Sequence, residues 1–313
     1  MLDEFDIIGR YFAPLSGEEG LLLQDDAAHY QPKANCTQIL TKDMLVENIH
    51  FLPDTDPADL AWKILAVNIS DLISKGATPK GYLLGIGYHK APNHDWLYAF
   101  TKGLAEAQKH FGLTLWGGDT VKSPGGLFFS VTAIGETPTN APNRSKAKDG
   151  QSIYVSGHLG GASYGLDDIT KGLDQTDLAK CYKRPKPPLD LKDLVLSYAA
   201  ASADISDGLL ADAGHIMQAS SMGAEIQQDK IPLHPKIQDP DIERCITWGD
   251  DYEIIFTVPL GREEDMLRYH AVNCTTPISK IGVVRKQDKV KLLDKQGQEI
   301  IIERKGFTHF KEG

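Results

Sequence analysis

Six short acidic motifs interrupt apolar or glycine-rich stretches of the chain, and they constrain its fold more than any other feature of the sequence. They are Gln24–Ala28, Thr41–Asp43, Asn68–Asp71, Gly117–Thr120, Asp204–Gly208 and Gly249–Glu253. A carboxylate in apolar surroundings is strongly destabilised unless a cation or hydrogen-bond donors accompany it. Divalent cations remove that cost, and oxygen ligands from aspartate favour Mg²⁺ or Ca²⁺ over zinc or copper. These motifs therefore point to a fold that gathers acidic element ends around Mg²⁺ ions.

Taken one at a time, the same motifs are more often structural than catalytic. An Asp pair is commonly a turn or a helix cap, and Asp207-Gly208 alone is a turn signal. Asp56 and Asp59 are assigned to capping of the helix that follows them. A calcium-storage protein is the competing interpretation, but the sequence contains no EF-hand loop with a glutamate at its twelfth position. On the residues alone, a metal site and a set of turns are about equally favoured.

The overall composition narrows the classes of function. The 313 residues favour two domains, and the net charge of −10 disfavours nucleic acid and anionic membranes as partners. The four cysteines are widely spaced and form no CxxC pair, as is typical of reduced thiols. The acidic start of the chain differs from a secretory signal, and no apolar run is long enough to span a bilayer. We therefore expect a cytoplasmic protein.

Apolar spacing and capping residues predict a mixture of helices and strands, which indicates an α/β or α+β protein. Helices are predicted from Asp56 to about Gly76, from Asp95 to Phe111 and over Asp207–Ser220. Strands are predicted at Gln38–Thr41, Gly81–Tyr88, Leu113–Trp116, Leu127–Gly135, Ser152–Ser156 and Glu253–Val258. A polar stretch without apolar periodicity follows Thr137. We expect domains over residues 1–137 and 151–313, joined by a linker over 138–150.

Signals for phosphate binding are weaker. The stretch Gly157–Gly165 follows a predicted strand and opens a helix, but it does not match G-x-G-x-x-G, and a flexible turn is at least as favoured. The chain lacks both GxxxxGK[ST] and the HRD and DFG motifs, which excludes P-loop and protein-kinase folds. Arg144 can bind a phosphate through two hydrogen bonds, and a solvated linker charge is the alternative. His50 alone would more often be structural.

The ordered set of motifs resembles the thiamine-monophosphate kinase family, in the superfamily that includes aminoimidazole ribonucleotide synthetase. The matching strings are QDDAA, TKDMLVENIHF, DPADLAWKILAVNISDLISKGATPKG, GGDT, ADISDGLLADAGHI and GDDYEIIFTVP, and the resemblance extends over almost the whole chain. The string HFLPDTDPADLAWK points to the thiamine kinase branch in particular.

This resemblance implies a two-domain, aminoimidazole ribonucleotide synthetase-like fold. The N-terminal domain would bind metal and ATP and form a homodimer, and the C-terminal domain would be α/β. The implied reaction is direct in-line transfer of a phosphoryl group from ATP to thiamine monophosphate, giving thiamine diphosphate, with several Mg²⁺ ions assisting. That reaction is the final step of thiamine diphosphate biosynthesis.

The resemblance also implies roles for individual residues. The expected metal ligands are Asp26, Thr41, Asp43, Asp71, Asp119, Asp204 and Asp207. The expected ATP contacts are Gly118, Asp119, Arg144 and Ser206, and the expected thiamine contacts are His50, Asp250 and Phe307. Catalysis is expected to depend on Asp71, Asp119, Asp207 and Arg144.

Three positions depart from the family pattern. Gln24 stands where Gly is usual, Lys42 where a small hydroxyl residue is usual, and Asp250 where Glu can occur. A lysine side chain cannot ligate Mg²⁺, so Lys42 either offers its backbone carbonyl or neutralises phosphate charge. These departures leave the number of metal ions open. Another ATP-using relative, such as aminoimidazole ribonucleotide synthetase, and a non-catalytic nucleotide- or metal-binding protein are the alternative functions.

Overall fold

The chain forms two compact units, each with its own β-sheet, in a computed structural model that describes residues 4–303 and 306–308. The first unit includes the chain up to Leu72 together with Ala77–Thr139. The second includes Ile73–Gly76 and the chain from Asn140 onward. Helices accompany both sheets, so the predicted mixed α/β class is confirmed.

Helices and strands alternate along the first unit after a short, irregular helical segment. The elements are α1 Glu4–Ile7, β1 Thr37–Val46, α2 Pro57–Ser74, β2 Thr78–Tyr88, α3 His94–Phe111, β3 Thr114–Lys122 and β4 Phe128–Thr137. Every helix and strand predicted in this half is present. Strand β3 continues further than predicted because Gly117, Gly118 and Asp119 join a parallel ladder with β2 instead of forming a turn.

The long helices α2 and α3 begin at residues that can cap a helix, and α3 ends at a glycine. Asp56 Oδ1 accepts the backbone N–H of Ala58 at 2.8 Å, just before Pro57 opens α2. Asn93 Oδ1 accepts the N–H of Trp96 at 2.8 Å at the start of α3, and Gly112, with φ of 73°, ends that helix. Their apolar side chains are buried, and Phe100 of α3 stacks on Phe129 of the adjoining sheet.

The first sheet has the strand order β1-β4-β2-β3, and its two faces differ in chemistry. One face packs on the helices, as shown by the hydrogen bond from Gln108 Nε2 of α3 to the Tyr82 hydroxyl of β2 at 3.1 Å. The other face, here called the open face, exposes Leu40, Met44 and Leu83 at 64%, 51% and 41% of their surface. Side chains alternate between these faces along each strand.

The second unit contains a larger, mostly antiparallel sheet of seven strands in the order β11-β10-β7-β9-β5-β8-β6. Its strands are β5 Ser152–Ser156, β6 Ala201–Asp204, β7 Gly223–Gln227, β8 Ile254–Val258, β9 Ile278–Arg285, β10 Val290–Leu293 and β11 Glu299–Ile300. Its helices are α4 Gly161–Thr170, α5 Asp177–Lys183, α6 Lys192–Tyr198, α7 Leu209–Ser220, α8 Ile242–Thr247 and α9 Glu263–Asn273. The predicted strands at 152–156 and 253–258 and the predicted helix over 207–220 are confirmed.

The core of the second unit forms where α7 packs on the sheet. Leu209, Ile216 and Met217 of the helix belong to one buried cluster with Ile153 and Ile255 of the central strands. Arg144 begins a single 3₁₀ turn, Arg144–Lys146, within the stretch predicted as a linker. Across residues 4–303 and 306–308, none of the helices combines the length and the apolar character that crossing a bilayer requires.

A single carboxylate ties two loops of the second unit together. Asp190 accepts the backbone N–H groups of Thr275 and Thr276 at 2.6 and 2.8 Å, and their hydroxyls at 3.0 and 2.6 Å. Burial would by itself raise the pKa of Asp190, but these donors stabilise the ionised form and hold the pKa below its usual range.

Replacing this carboxylate should destabilise the second unit in a pH-dependent way. We expect Asp190→Ala to lower the free energy of unfolding by about 1–3 kcal/mol at pH 7, because four donors lose a charged acceptor. A lowered pKa gives stability that is complete above the unfolded-state value of about 3.9 and is lost as the pH falls through the folded-state value. Denaturant titrations from pH 7 to pH 3 should therefore show the difference shrinking.

The matched control is Asp193→Ala, whose side chain is 63% exposed and pairs only weakly with Lys192 at 3.4 Å. This variant should unfold like the wild type. A loss at Asp190 equal to that at Asp193 would contradict the structural role.

Candidate functional site

The helix-facing side of the first sheet carries one group of predicted metal ligands. Thr41 and Asp43 lie on β1, and Asp71 lies in the last turns of α2. The Thr41 hydroxyl donates a hydrogen bond to Asp71 Oδ2, and the Asp43 carboxyl interacts electrostatically with Asp71. The structure therefore brings Thr41, Asp43 and Asp71 together. Asn68, one turn before Asp71, is fully buried and donates to the Ile64 carbonyl at 3.0 Å.

The electrostatics of this group favour a bound cation. Burial, and then the negative charge of Asp71, raise the pKa of Asp43 to about 7, while Lys42 acts in the opposite direction. The donor atoms are two carboxylates and a hydroxyl, an all-oxygen set that Mg²⁺ prefers. These residues therefore fit a magnesium ion, whose charge would offset both the burial of Asp43 and its repulsion by Asp71.

The open face of the same sheet carries a second group. A cavity of about 660 Å³ is lined by Asp25, Asp26, Lys42, Gly118, Asp119, Thr120, Ser130 and Thr132, together with apolar side chains that include Leu83 and Trp116. Asp119 pairs with Gly85, and Gly85 in turn pairs with Ser130, so the three residues share one face. Lys42 shares that face and donates a hydrogen bond to Ser130 Oγ.

Because side chains alternate between the two faces of a sheet, metal ligands that were predicted as one set lie on opposite faces. Asp119 and Thr41 belong to one predicted set of metal ligands, but they lie on opposite faces of the first sheet. Asp26 lines the cavity with Asp119, and both carboxylates are exposed. Within the first unit the predicted ligands therefore form two groups: Thr41, Asp43 and Asp71 on the helix side, and Asp26 and Asp119 on the open face.

His50 lies in the first unit but outside both groups. Its Nδ1 accepts the backbone N–H of Val46 at 3.0 Å in the turn that follows β1. The backbone N–H of Val46, at the end of β1, thereby has a hydrogen-bond acceptor. This is the kind of structural role expected of a lone histidine. Its predicted contact with thiamine stays a prediction.

In the second unit, the loop between β6 and α7 holds Asp204, Ser206 and Asp207. Asp204 ends β6 and is only 4% exposed. Asp212 Oδ2, from the first turn of α7, accepts the backbone N–H groups of Ser206 and Asp207 at 3.1 Å each. Burial, and then the charge of Asp207, raise the pKa of Asp212 to about 7.

Two further segments pack on this loop. The Ser206 carbonyl accepts the N–H of Asp250 at 2.9 Å, and the Asp207 carbonyl accepts the N–H of Phe307 at 2.9 Å. Asp250 has φ of 63° and receives a hydrogen bond from the Tyr252 hydroxyl at 2.6 Å. The structure therefore brings Asp250 and Phe307, both predicted thiamine contacts, to the loop that carries Ser206 and Asp207.

Arg144 lies near the same loop. Its positive charge favours the ionised form of Asp212, and its carbonyl accepts the Ser220 hydroxyl of α7 at 2.7 Å. The backbone of this predicted linker residue is therefore tied to α7, while its side chain is exposed and its phosphate contact stays a prediction.

Asp212 and His215 were missed by the sequence interpretation. Ligand atoms of Asp207, Asp212 and His215 all lie within 4.8 Å of one another, the only group of three acidic, histidine or cysteine ligands this close in the described part of the chain. A signal was available for Asp212: it lies at helical spacing from Leu209 and Ile216, on the apolar face of α7, and it is 1% exposed. An acid on a buried face requires partners.

The glycine-rich stretch from Gly157 to Gly165 does not resemble a phosphate site. Asp251 Oδ1 accepts the Gly160 N–H at 2.9 Å, and Glu253 accepts the Ser156 hydroxyl and the His158 N–H. Burial raises the pKa of both carboxyls, that of Glu253 to about 7. Carboxyl groups thus already use two of the backbone N–H groups just before α4, those of His158 and Gly160, which favours the turn interpretation over a phosphate site.

Comparisons with known proteins agree with this architecture. The family model described as "AIR synthase related protein, N-terminal domain" matches residues 24–137. Proteins called thiamine-monophosphate kinase from Haemophilus influenzae and Bacillus subtilis are each 34% identical, covering 99% of this chain and 99% and 100% of their own lengths. The chain belongs to the thiamine-monophosphate kinase family.

Solved structures of this family have the same fold. The thiamine-monophosphate kinase from Stenotrophomonas maltophilia superimposes with a TM-score of 0.81 at 33% identity, over 92% of this chain and 94% of its own. AaThiL complexed with AMPPCP and TMP gives 0.78 at 30% identity, over 98% and 97%. The hydrogenase maturation protein HypE in complex with ATP gives 0.79 at 19% identity, over 97% and 95%, which shows the fold alone. The predicted aminoimidazole ribonucleotide synthetase-like fold is confirmed.

The raised pKa of Asp43 has a measurable consequence in metal-free protein. The pKa of Asp43 in the folded state, about 7, lies above its usual value, so the free energy of unfolding of the wild type should fall as the pH rises from about 4 to about 7. Above pH 7 the loss of stability is complete. In EDTA at pH 8, we expect Asp43→Asn to raise the free energy of unfolding by about 1–2 kcal/mol, with the gain fading toward pH 4.

Denaturant titration at both pH values measures this effect. The control is Asp54→Asn, which removes the same charge from an exposed position of the same unit and should change little. A destabilised Asn variant at pH 8 would show that the Asp43 carboxylate is favourably paired without metal.

Proposed function

We propose that this chain phosphorylates thiamine monophosphate with ATP, forming thiamine diphosphate and ADP. The observation that carries the proposal is the full-length identity of 34% to curated thiamine-monophosphate kinases. The acidic motifs were expected at element ends, but Thr41–Asp43 and Gly117–Thr120 lie within strands β1 and β3. A family structure in complex with AMPPCP and TMP supports the choice of substrates. ATP is thus a co-substrate, and Mg²⁺ is the proposed metal.

The proposed chemistry needs no strong general base. The nucleophile is a phosphate oxygen of thiamine monophosphate, which is largely ionised at neutral pH because its second pKa is about 6. The barrier lies in bringing two anions together in line, so the protein's task is to position them and to neutralise charge. When bound, Mg²⁺ supplies positive charge that offsets the repulsion between the phosphate groups.

Each site residue has a proposed role within this scheme. The proposed metal ligands are Asp26, Thr41, Asp43, Asp71, Asp119, Asp204 and Asp207. The proposed ATP contacts are Gly118, Asp119, Arg144 and Ser206, and the proposed thiamine contacts are His50, Asp250 and Phe307. Arg144 would stabilise phosphate charge, and the Phe307 ring, 36% exposed, would pack on the cationic thiazolium.

The assembly and location are also proposals. Residues 1–137 would form the metal-binding and dimerising domain, 138–150 the linker and 151–313 the C-terminal domain. The exposed Leu40, Met44 and Leu83 on the open face favour a homodimer formed through this face. The protein would act in the cytoplasm on small molecules, without nucleic acid or membrane partners.

ADP release tests the function directly. The purified chain should form ADP with thiamine monophosphate, ATP and Mg²⁺, but not with thiamine or with aminoimidazole-pathway substrates. We expect Asp71→Asn to lower the rate at least about 100-fold, since charge stabilisation by a metal is worth several kcal/mol. Asp54→Asn, at an exposed position of the same unit, should keep nearly full activity.

Other results would select the alternatives. ADP release with an aminoimidazole-pathway substrate would indicate aminoimidazole ribonucleotide synthetase, and ATP binding without turnover would indicate a sensor. Full activity of Asp71→Asn would remove Asp71 from the metal site.

The proposed dimer predicts that a charge on the open face separates the subunits. Met44→Glu should shift the mass measured by light scattering from two chains to one, because burying an unpaired carboxylate in an interface is costly. Val272→Glu places the same charge on α9, where Val272 is 83% exposed, and should leave the mass unchanged. A monomeric wild type would rule out the dimer.

A further inference from the structure

A lysine side chain, that of Lys42, places a positive charge in the open-face cavity. Three carboxylates line it, those of Asp25, Asp26 and Asp119, and Lys42 is the only lysine or arginine among the described residues that line it. The cavity therefore combines a strongly acidic border with one ammonium group.

The sheet fixes where this ammonium lies. Lys42 pairs with Thr132 in the β1–β4 ladder, and its Nζ donates to Ser130 Oγ on the neighbouring strand. Thr41 and Asp43, on either side of Lys42, lie on the opposite face. The side chain of Lys42 thus lies in the cavity, although its charge also lowers the pKa of Asp43 across the sheet.

An anionic ligand in this cavity would meet unfavourable charge without cations. Three carboxylates repel a phosphate, and Asp25 Oδ1 and Asp119 Oδ1 accept nearby backbone N–H groups, of Asp26 at 2.7 Å and of Thr120 at 2.9 Å. A lysine ammonium is a compact charge with three donors, and the bond to Ser130 uses one of them. The other donors are suited to a phosphate oxygen.

We propose that Lys42 binds a phosphate oxygen of the substrates in the open-face cavity and supplies there a positive charge that would otherwise require one more Mg²⁺ ion. Ser130 is a positioning residue that holds the ammonium. This inference rests on the proposed function for the identity of the anions, ATP and thiamine monophosphate. It assigns to this chain a lower magnesium requirement than the same cavity would have with a neutral residue at position 42.

Binding without metal isolates the contribution of Lys42. Isothermal titration in EDTA should give the wild type a measurable affinity for ATP or for thiamine monophosphate. Lys42→Met should weaken that affinity about 10- to 100-fold, the worth of one charge-assisted hydrogen bond. Lys42→Arg should retain most of it, and Lys102→Met, which removes an exposed lysine of α3, should match the wild type.

The magnesium dependence of ADP release is the second readout. Lys42→Thr should require about fivefold or more Mg²⁺ for half-maximal rate, and excess Mg²⁺ should restore much of the rate, because a metal can then occupy the vacated position. A general loss of structure would lower the rate at every Mg²⁺ concentration instead. Melting temperatures establish that the variants are folded, and light scattering establishes that they keep the wild-type mass, because Lys42 lies on the same face as the proposed dimer contacts Leu40 and Met44.

The outcomes separate this inference from the proposed function. Equal metal-free affinities of wild type and Lys42→Met for both ligands, or equal magnesium dependence of wild type and Lys42→Thr, would overturn the role of Lys42. A wild type that forms no ADP from thiamine monophosphate would overturn the proposed function, and the metal-free titration with ATP would still decide whether Lys42 binds the anion.

Discussion

The burial of the Asp43 carboxyl beside a second carboxylate, Asp71, and the repulsion between the two are the constraint on which the proposed chemistry of the first unit depends. The two carboxylates, one of which accepts the Thr41 hydroxyl, are held together by a strand and a helix that the apolar core fixes in place. The core cannot relax this repulsion, since the buried side chains of α2, such as Leu65 and Ile69, are fully enclosed. The fold therefore keeps two acidic groups close together at a cost in stability, and a bound dication would offset that cost.

The second unit also contains a buried aspartate, Asp212, but stabilises it in a different way. Asp212 is buried, but its carboxylate accepts two backbone N–H groups and thereby fixes the loop that carries Ser206 and Asp207. The carbonyls of this loop hold Asp250 and Phe307 in turn. One buried acid thus fixes the positions of residues far apart in sequence. The geometry offered to any ligand at this loop would therefore depend on the hydrogen bonds of Asp212.

Much of the fold could be predicted from the sequence, because local signals were strong. Asp56-Pro57 begins α2 and Gly112 ends α3, as capping chemistry requires. The aspartates of the site could also be predicted as a set, but their grouping could not. Whether Asp119 faces Asp43 depends on the strand order and on the bulge between Tyr82 and Leu83, which are set by long-range pairing. The glycines after β5 were ambiguous for a similar reason: Asp251, about ninety residues later, decides what their N–H groups bind.

The tripeptide Thr41-Lys42-Asp43 shows how much depends on register. Because side chains alternate, this one segment gives a hydroxyl and a carboxylate to the helix side and an ammonium to the open face. A shift of one residue would place Lys42 against Asp71, forming an ion pair that would exclude a metal, and would move Asp43 into the acidic cavity. The unbroken ladder of β1 with β4, over all 10 residues of β1, prevents that shift. The separation of the Asp43–Asp71 group from the open-face cavity is thus a property of strand pairing. Substitutions that weaken the β1–β4 ladder would bring the two sets of charges together even if every predicted ligand were unchanged.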